Sequence, residues 1–364
     1  MEEQNKKLRD AEETTDRGGK ITYTAELFLT GDALIHDSVY QAAEQEDGSY
    51  DFSRMLACVG RLSEGYDLKY YNQETILGGT ELGLSSYPLF NSPQEVGDAM
   101  VKMGFNLVST ANNHSLDKGL PGIENSLKYW AKQEREHGVH TAGTALSQQA
   151  HDAIPVYEIN GITYTFLSWT CWCNSLQPPK GFSYIVNSYE HGTEEMLDQI
   201  RRADRLSDIV IVAMHWGDEN TTERNEEQIE LAQKLADCGA DIIIGNHPHA
   251  IQPIAWLHDH KTLCFYAMGN MLSGQTAEIT HAGMVGGLTI EKHVVQGRAT
   301  ITLKDPRVDL IWTAHDAQRR QYKVIPMNEL DDAIVSNGTK LYEQYRALIT
   351  DWNAEVRFGV ELKR

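Results

Sequence analysis

The chain has 364 residues, 41% hydrophobic and 23% charged, which fits a globular protein with one large α/β domain or two smaller ones. Its 32 Lys and Arg stand against 52 Asp and Glu, a net charge of -20 that argues against nucleic-acid binding and against spontaneous binding to anionic lipid. No apolar run of about 18 residues and no hydrophobic signal segment is present, so no membrane-spanning helix is expected.

Residues 1–22 are polar and charged and read as a flexible leader. Residues 25–30 form a short apolar strand ending at Gly31-Asp32, and residues 67–71 a weaker one followed by Asn72-Gln73-Glu74-Thr75. The spacing of Val96, Met100 and Met103 predicts an amphipathic helix over 93–104, stopped by Gly104. A strand over 106–109 leads into Thr110-Ala111-Asn112-Asn113-His114, and a helix over 120–135 turns Ile123, Leu127 and Trp130 to one side. Further on come a strand over 162–168, a helix over 194–203 and a buried-type strand over 208–214 running into His215-Trp216-Gly217. A helix over 225–238 and the apolar run 241–244 lead into Gly245-Asn246-His247-Pro248-His249, and a strand over 262–267 ends at Met268-Gly269-Asn270.

Alternating strands and helices predict an α/β fold with parallel segments. After residue 284 the texture changes: 285–291, 299–304 and 308–313 read as successive strands of a β-meander, and 340–352 as a terminal helix. The domain division expected is one elaborated domain over 23–330, with 331–364 a C-terminal helical extension packed on it.

Five cysteines at irregular spacing are not a disulfide framework. Cys58, Cys238 and Cys264 read as small core residues. Cys171 and Cys173 share a face if extended, but no second thiol pair completes a four-thiolate zinc site.

Chemistry concentrates at the strand ends. His247 and His249 flank a proline, and in extended backbone residues i and i+2 point the same way, so the pair reads as a claw for metal. Ligands of open α/β sheets bind beyond the carboxyl ends of strands. Six clusters, containing Asp32, Glu74, Asn113 and His114, His215, His247 and His249, and Asn270, are expected to converge there. Mixed imidazole, carboxylate and amide donors suit one or two divalent ions of Mn, Fe or Zn better than Ca. His114 is then placed to protonate a leaving oxygen, with Asp117 orienting its ring. Each residue also has a plainer reading. Asp32 can be a helix N-cap, Glu74 a solvated loop acid, Asn113 a turn former and His114 a core histidine. His258-Asp259-His260 repeats the claw's spacing in a polar stretch and is assigned no role. Trp216 reads as pocket wall or core.

Taken together, Gly31-Asp32, Asn72-x-Glu74, Ala111-Asn-Asn-His-Ser-x-Asp117, His215-Trp-Gly217, Gly245-Asn-His-Pro-His249 and Gly269-Asn270 resemble the bacterial capsule-synthesis CapA proteins. Those proteins are linked to poly-γ-glutamate capsules and belong to the calcineurin-like metallophosphoesterase superfamily. The resemblance spans roughly residues 24–330. It implies a four-layer α-β-β-α sandwich of two mixed sheets flanked by helices. By position, Asp32 and His249 fall on the first metal, Glu74 on the bridging carboxylate, and Asn113, His215 and His247 on the second metal; His114 falls on the catalytic histidine. Two positions depart from the superfamily: Leu34 stands where a histidine ligand is usual, and Glu74 where an aspartate is. The resemblance further implies an anionic polymer or phosphoester as substrate, membrane proteins of a capsule-synthesis complex as partners, and an extracytoplasmic, membrane-associated location reached through a segment absent from this chain. It also implies a phosphoesterase-type hydrolase site, with a non-catalytic assembly component as the alternative.

Overall fold

The computed structural model describes residues 14–15, 20–353 and 355–362. The expected leader therefore falls largely outside the described residues, and its last three, 20–22, already belong to a strand. That strand, β1 (Lys20–Leu34), anchors the larger of two mixed sheets. It pairs in parallel with β2 (Leu68–Asn72), which pairs with β3 (Leu107–Ser109), which pairs with β4 (His140–Ala142). The smaller sheet starts with β5 (Tyr157–Ile159), antiparallel to β6 (Ile162–Thr170). Parallel β7 (Ile209–His215) and β8 (Ile242–Asn246) follow. β9 (Ile254–Leu257) and β10 (Thr262–Phe265) complete it, β10 parallel to β8. β11 (Asn270–Ser273) returns to the larger sheet, parallel to β1, and β12 (Ala282–Val295), β13 (Arg298–Ala314) and β14 (Lys323–Pro326) extend it antiparallel.

Period-two alternation explains the layers. Ala25, Leu27 and Leu29 of β1 meet Ile209, Ile211 and Ala213 of β7 and Ile242 and Ile244 of β8 in a core between the sheets. The intervening residues face outward. Phe28, Tyr71 and Val108 pack under α1 (Asp37–Ala43), α2 (Ser53–Leu62), α3 (Glu95–Lys102) and α4 (Gly119–His137). On the other side, Val210, Val212 and Ile243 pack under two further helices, Glu194–Asp204 and Glu226–Asp237. Strands covered on both faces read as unbroken apolar runs, which is why 209–214 and 242–244 are so plain in sequence. The result is the four-layer α-β-β-α sandwich that the resemblance implies.

The late meander differs from its reading. Residues 299–304 and 308–313 are one strand, β13, rather than two. Asp305 takes a positive φ of 55°, and the pairing slips between Gly287 and Thr289, so the extra residues bulge and the strand continues. The terminal helix, Gly338–Trp352, buries Ile349 in the inter-sheet core, and Arg357–Phe358 adds a short parallel strand on β13. Among the described residues, no helix is long and apolar enough to cross a membrane.

Two glycines let the sheets close at one end. The Asp32 amide donates to the Gly269 carbonyl at 3.0 Å, and a Cβ on Gly31 would lie 1.8 Å from that same oxygen. Likewise Met268 donates to the Gly245 carbonyl at 3.1 Å, where a Cβ on Gly245 would lie 1.7 Å from the Tyr266 oxygen. Gly31→Ala and Gly245→Ala are each expected to cost about 3 kcal/mol or more of stability in urea unfolding. Exposed Leu146→Ala is expected to stay within about 0.5 kcal/mol of the parent. Parent-like midpoints for both glycine variants would contradict the close approach.

Candidate metal centre

The carboxyl ends of both sheets meet at one crevice. Asp32 lies near the end of β1, Asn72 ends β2 with Glu74 two residues on, and Asn113 and His114 follow β3. His215 ends β7, His247 and His249 follow β8, and Asn270 opens β11. None of Asp32, Glu74, Asn113, His114, His215, His247 and His249 is more than 5% exposed. Beneath them Asn246 of the smaller sheet donates to the Tyr70 hydroxyl of the larger at 2.7 Å, tying the layers together.

The structure brings Asp32, Glu74, Asn113, His215, His247 and His249 together. His249 Nδ1 lies 3.3 Å from Asp32 Oδ2, and His249 Nε2 lies 3.6 Å from Glu74 Oε1. His215 Nε2 lies 3.7 Å from that same Glu74 oxygen and 3.0 Å from Asn113 Oδ1. The His247 ring is tilted against His215 at 4.7 Å and His249 at 5.9 Å, and ligand atoms of Glu74, His247 and His249 lie within 4.8 Å of one another. His247 thus sits between its neighbours, against the His215 ring of its expected grouping and within ligand reach of Glu74 and His249 as well. In turn Asn72 and Asn270 orient the first two ligands: Asn72 Nδ2 donates to Asp32 Oδ1 at 2.8 Å, and Asn270 Oδ1 lies 3.1 Å from His249 Nδ1.

The claw is not extended backbone. His247 and His249 both take positive φ, 98° and 55°, so the i, i+2 rule does not place their rings. Such backbone costs on the order of 1 kcal/mol or more per residue and persists where the surroundings impose it. Here the His247 amide is held by Asp32 Oδ2 at 3.3 Å.

Electrostatics ask for a cation. Both Glu74 oxygens, His215 Nδ1 and His247 Nδ1 are buried without a hydrogen-bond partner. A buried carboxylate with no donor is costly unless an opposite charge meets it. Burial drives Glu74 well above the usual carboxylate range, with Asp32, Glu219 and Asp117 adding to the shift and His249 opposing it. Burial also lowers His215 far below its ordinary value, and with the neighbouring imidazoles of His249 and His114 brings His247 down to about 3. His249 goes the other way: burial disfavours its charge, but Glu74 and Asp32 prevail and raise it to about 9. Two carboxylates, three imidazoles and an amide oxygen, with orphaned donors facing one another, fit a divalent transition metal.

Beside this set, His114 Nδ1 lies 2.7 Å from Asp117 Oδ2, which also accepts the Phe90 amide at 2.7 Å. Asp117 therefore fixes the tautomer with the proton on Nδ1 and leaves Nε2 for chemistry. Two contacts lay outside the sequence reading. Trp172 packs edge-on against His247 at 4.8 Å, and Asn174 Oδ1 accepts from Asn113 Nδ2 at 3.3 Å. Both follow the end of β6, so the strand-end rule finds them once attention leaves the flanking cysteines. Burial pushes the Cys173 thiol up to about 12 and Cys171 higher still, so neither is a reactive thiolate. Trp216 is core, its Nε1 donating to the Tyr266 carbonyl at 2.9 Å. His258 is on the surface, paired with Asp237 at 3.1 Å. A second group, His151, Asp152 and Glu195, has exposed acids, and His151 is already bonded to Glu195 at 2.8 Å.

Titration of metal-free protein with Mn(II) or Zn(II) by calorimetry is expected to show binding that Glu74→Gln and His249→Ala each weaken by about 100-fold. The ion should raise the parent's Tm and leave the variants' Tm unmoved. Equal affinity in parent and variants would remove Glu74 and His249 from the site.

The chain is similar to known capsule-synthesis proteins. The chain is 35% identical over 176 residues to the PGA biosynthesis protein CapA of Bacillus subtilis, covering 48% of this chain and 44% of that protein. It is 26% identical over 195 residues to the capsule biosynthesis protein CapA of Bacillus anthracis, covering 51% and 44%. The chain therefore spans less than half the length of these relatives. Among solved structures, a calcineurin-like phosphoesterase, YfkN of Bacillus subtilis, aligns with TM-score 0.44 and 13% identity over 89% of this chain and 98% of that one. The family model described as "Bacterial capsule synthesis protein PGA_cap" matches residues 26–275, well over half of the chain. The chain belongs to the PGA_cap family of bacterial capsule synthesis proteins.

Proposed function

We propose that this chain is a metal-dependent hydrolase of the phosphoesterase type acting in poly-γ-glutamate capsule biosynthesis. The observation that carries the reading is Glu74: a fully buried carboxylate with no hydrogen-bond donor, ringed by His215, His249 and, within ligand reach, His247. Asp32, Glu74, Asn113, His215, His247 and His249 would hold one or two divalent ions of Mn, Fe or Zn. When bound, such an ion polarises the oxygen of the scissile group and activates water.

The chain's own residues supply the rest. His114, held by Asp117, delivers a proton from Nε2 to the leaving oxygen. Asp117 keeps Nδ1 protonated and balances the charge as the ring exchanges its proton. Trp172 and Phe90 wall the two imidazoles His247 and His114 and limit water there. The substrate in this reading is an anionic polymer or a phosphoester. Its partners are membrane proteins of a capsule-synthesis complex, and it works at the membrane outside the cytoplasm.

A second reading, a non-catalytic assembly component, is favoured by one observation. Leu34, in the position where the superfamily places a histidine, is a 2% exposed core side chain and offers no donor.

Turnover of p-nitrophenyl phosphate and bis(p-nitrophenyl) phosphate by metal-loaded protein separates the two. His114→Ala is expected to lower kcat by about 10²–10⁴-fold with bound metal unchanged, and Asp117→Asn by less. A loaded parent that turns over neither ester, nor a γ-glutamyl amide, would establish the second reading.

A further inference from the structure

We propose that Arg319 and His36 form an oxyanion-binding shoulder of this site, which holds a carboxylate or phosphate of the substrate beside the bond that His114 serves. The proposal rests on the hydrolase reading for its reacting bond but not for the binding it describes.

Arg319 lies in the loop between β13 and β14. Its Nε donates to the Tyr322 hydroxyl at 3.0 Å, and one terminal nitrogen donates to the Gly274 carbonyl. Tyr322 is itself 4% exposed and shares its hydroxyl with Ser38 Oγ at 2.8 Å, so the guanidinium is fixed from below. Both acceptors are neutral. Arg61, Arg307 and Arg357 pair with Glu361, Glu26 and Asp305, whereas among the described residues no carboxylate lies within ion-pairing distance of Arg319. A half-buried guanidinium held by two neutral oxygens keeps its full charge for an anion. Its second terminal nitrogen has no partner among the described residues, and the planar fork suits carboxylate and phosphate alike. The backbone of Arg319 takes a positive φ of 55°, a strained conformation that sets the side chain's origin.

Contacts link this cation to the catalytic dyad. Gly274, whose carbonyl holds Arg319, lies with its amide 3.2 Å from His36 Nδ1, which is also 3.0 Å from the Leu34 carbonyl. His36 Nε2 has no partner among the described residues. The His36 ring packs edge-on against Phe90 at 5.0 Å, and Phe90 packs edge-on against His114 at 4.7 Å. Thus Arg319, Gly274, His36, Phe90 and His114 form one continuous chain of contacts. Burial, with His249 and Arg319 adding to it against the Leu34 carbonyl, lowers His36 to about 4, so the charge of the shoulder belongs to Arg319 and His36 adds a neutral polar edge. Asp37 and Glu278 act through space on His36 and His281.

The test is calorimetric binding of two probes, inorganic phosphate and a synthetic γ-glutamyl oligomer, to metal-loaded parent, Arg319→Ala, Arg319→Gln and Arg319→Lys. Arg319→Ala and Arg319→Gln are expected to weaken one or both probes by about 10-fold or more, with Arg319→Lys in between and with metal content and Tm at parental values. Loss confined to phosphate identifies a phosphoester as the source of the oxyanion, and loss confined to the oligomer identifies a polymer carboxylate. Parental affinity of a folded Arg319→Gln for both probes, or a parent that binds neither, overturns the shoulder. A parent that binds through Arg319 without turnover overturns only the hydrolase reading.

Discussion

Glu74 is a carboxylate placed where no carboxylate is stable alone. It is fully buried and has no donor, and its nearest polar neighbours are imidazoles supplied by the opposite sheet. Much of the architecture serves that placement. Asn246 of the smaller sheet reaches Tyr70 of the larger, and Gly31 and Gly245 allow backbone approaches that no side chain tolerates. The positive-φ conformations of His247 and His249 then bring two rings to the carboxylate that straight strands would not. A divalent ion would offset the accumulated cost of burial, strain and orphaned ligand atoms in one step.

The general plan was legible because it is written in long apolar runs and in the polar residues that end them. β7 and β8, covered on both faces, are unbroken in sequence, and each delivers its histidines at its end. Several of the short elements were not legible. β4, β5, β11 and β14 have three or four residues each and draw their stability from neighbours already in the sheet, so no local pattern marks them. The sequence reading ends one strand at 304 and starts the next at 308, but tertiary pairing carries β13 through the gap as a bulge.

The site shows the same division. Asp32, Glu74, Asn113, His114, His215, His247 and His249 come together at the strand ends, as the spacing of their clusters suggests. How the two histidines of the claw are aimed could not be read, because the period-two rule assumes extended backbone. Trp172 and Asn174 follow a strand end like the others, but lie in a cysteine-bearing stretch whose thiols turn out to be inert. Arg319 lies some seventy residues beyond the claw and reaches His36 through Gly274, a contact between segments that no spacing in the sequence encodes. Leu34 marks where this chain departs from the superfamily it resembles. On β1 it is part of the packed core and offers no ligand atom on the Asp32 side of the site.

A buried, donorless Glu74 calls for an ion beside it. Anomalous diffraction at the manganese or zinc edge from crystals grown with that metal tests it directly. A peak bonded to Glu74 and to at least one of His247 and His249, at about 2.0–2.2 Å, is expected. A single peak at His151, Asp152 and Glu195, or none in the crevice, would contradict it.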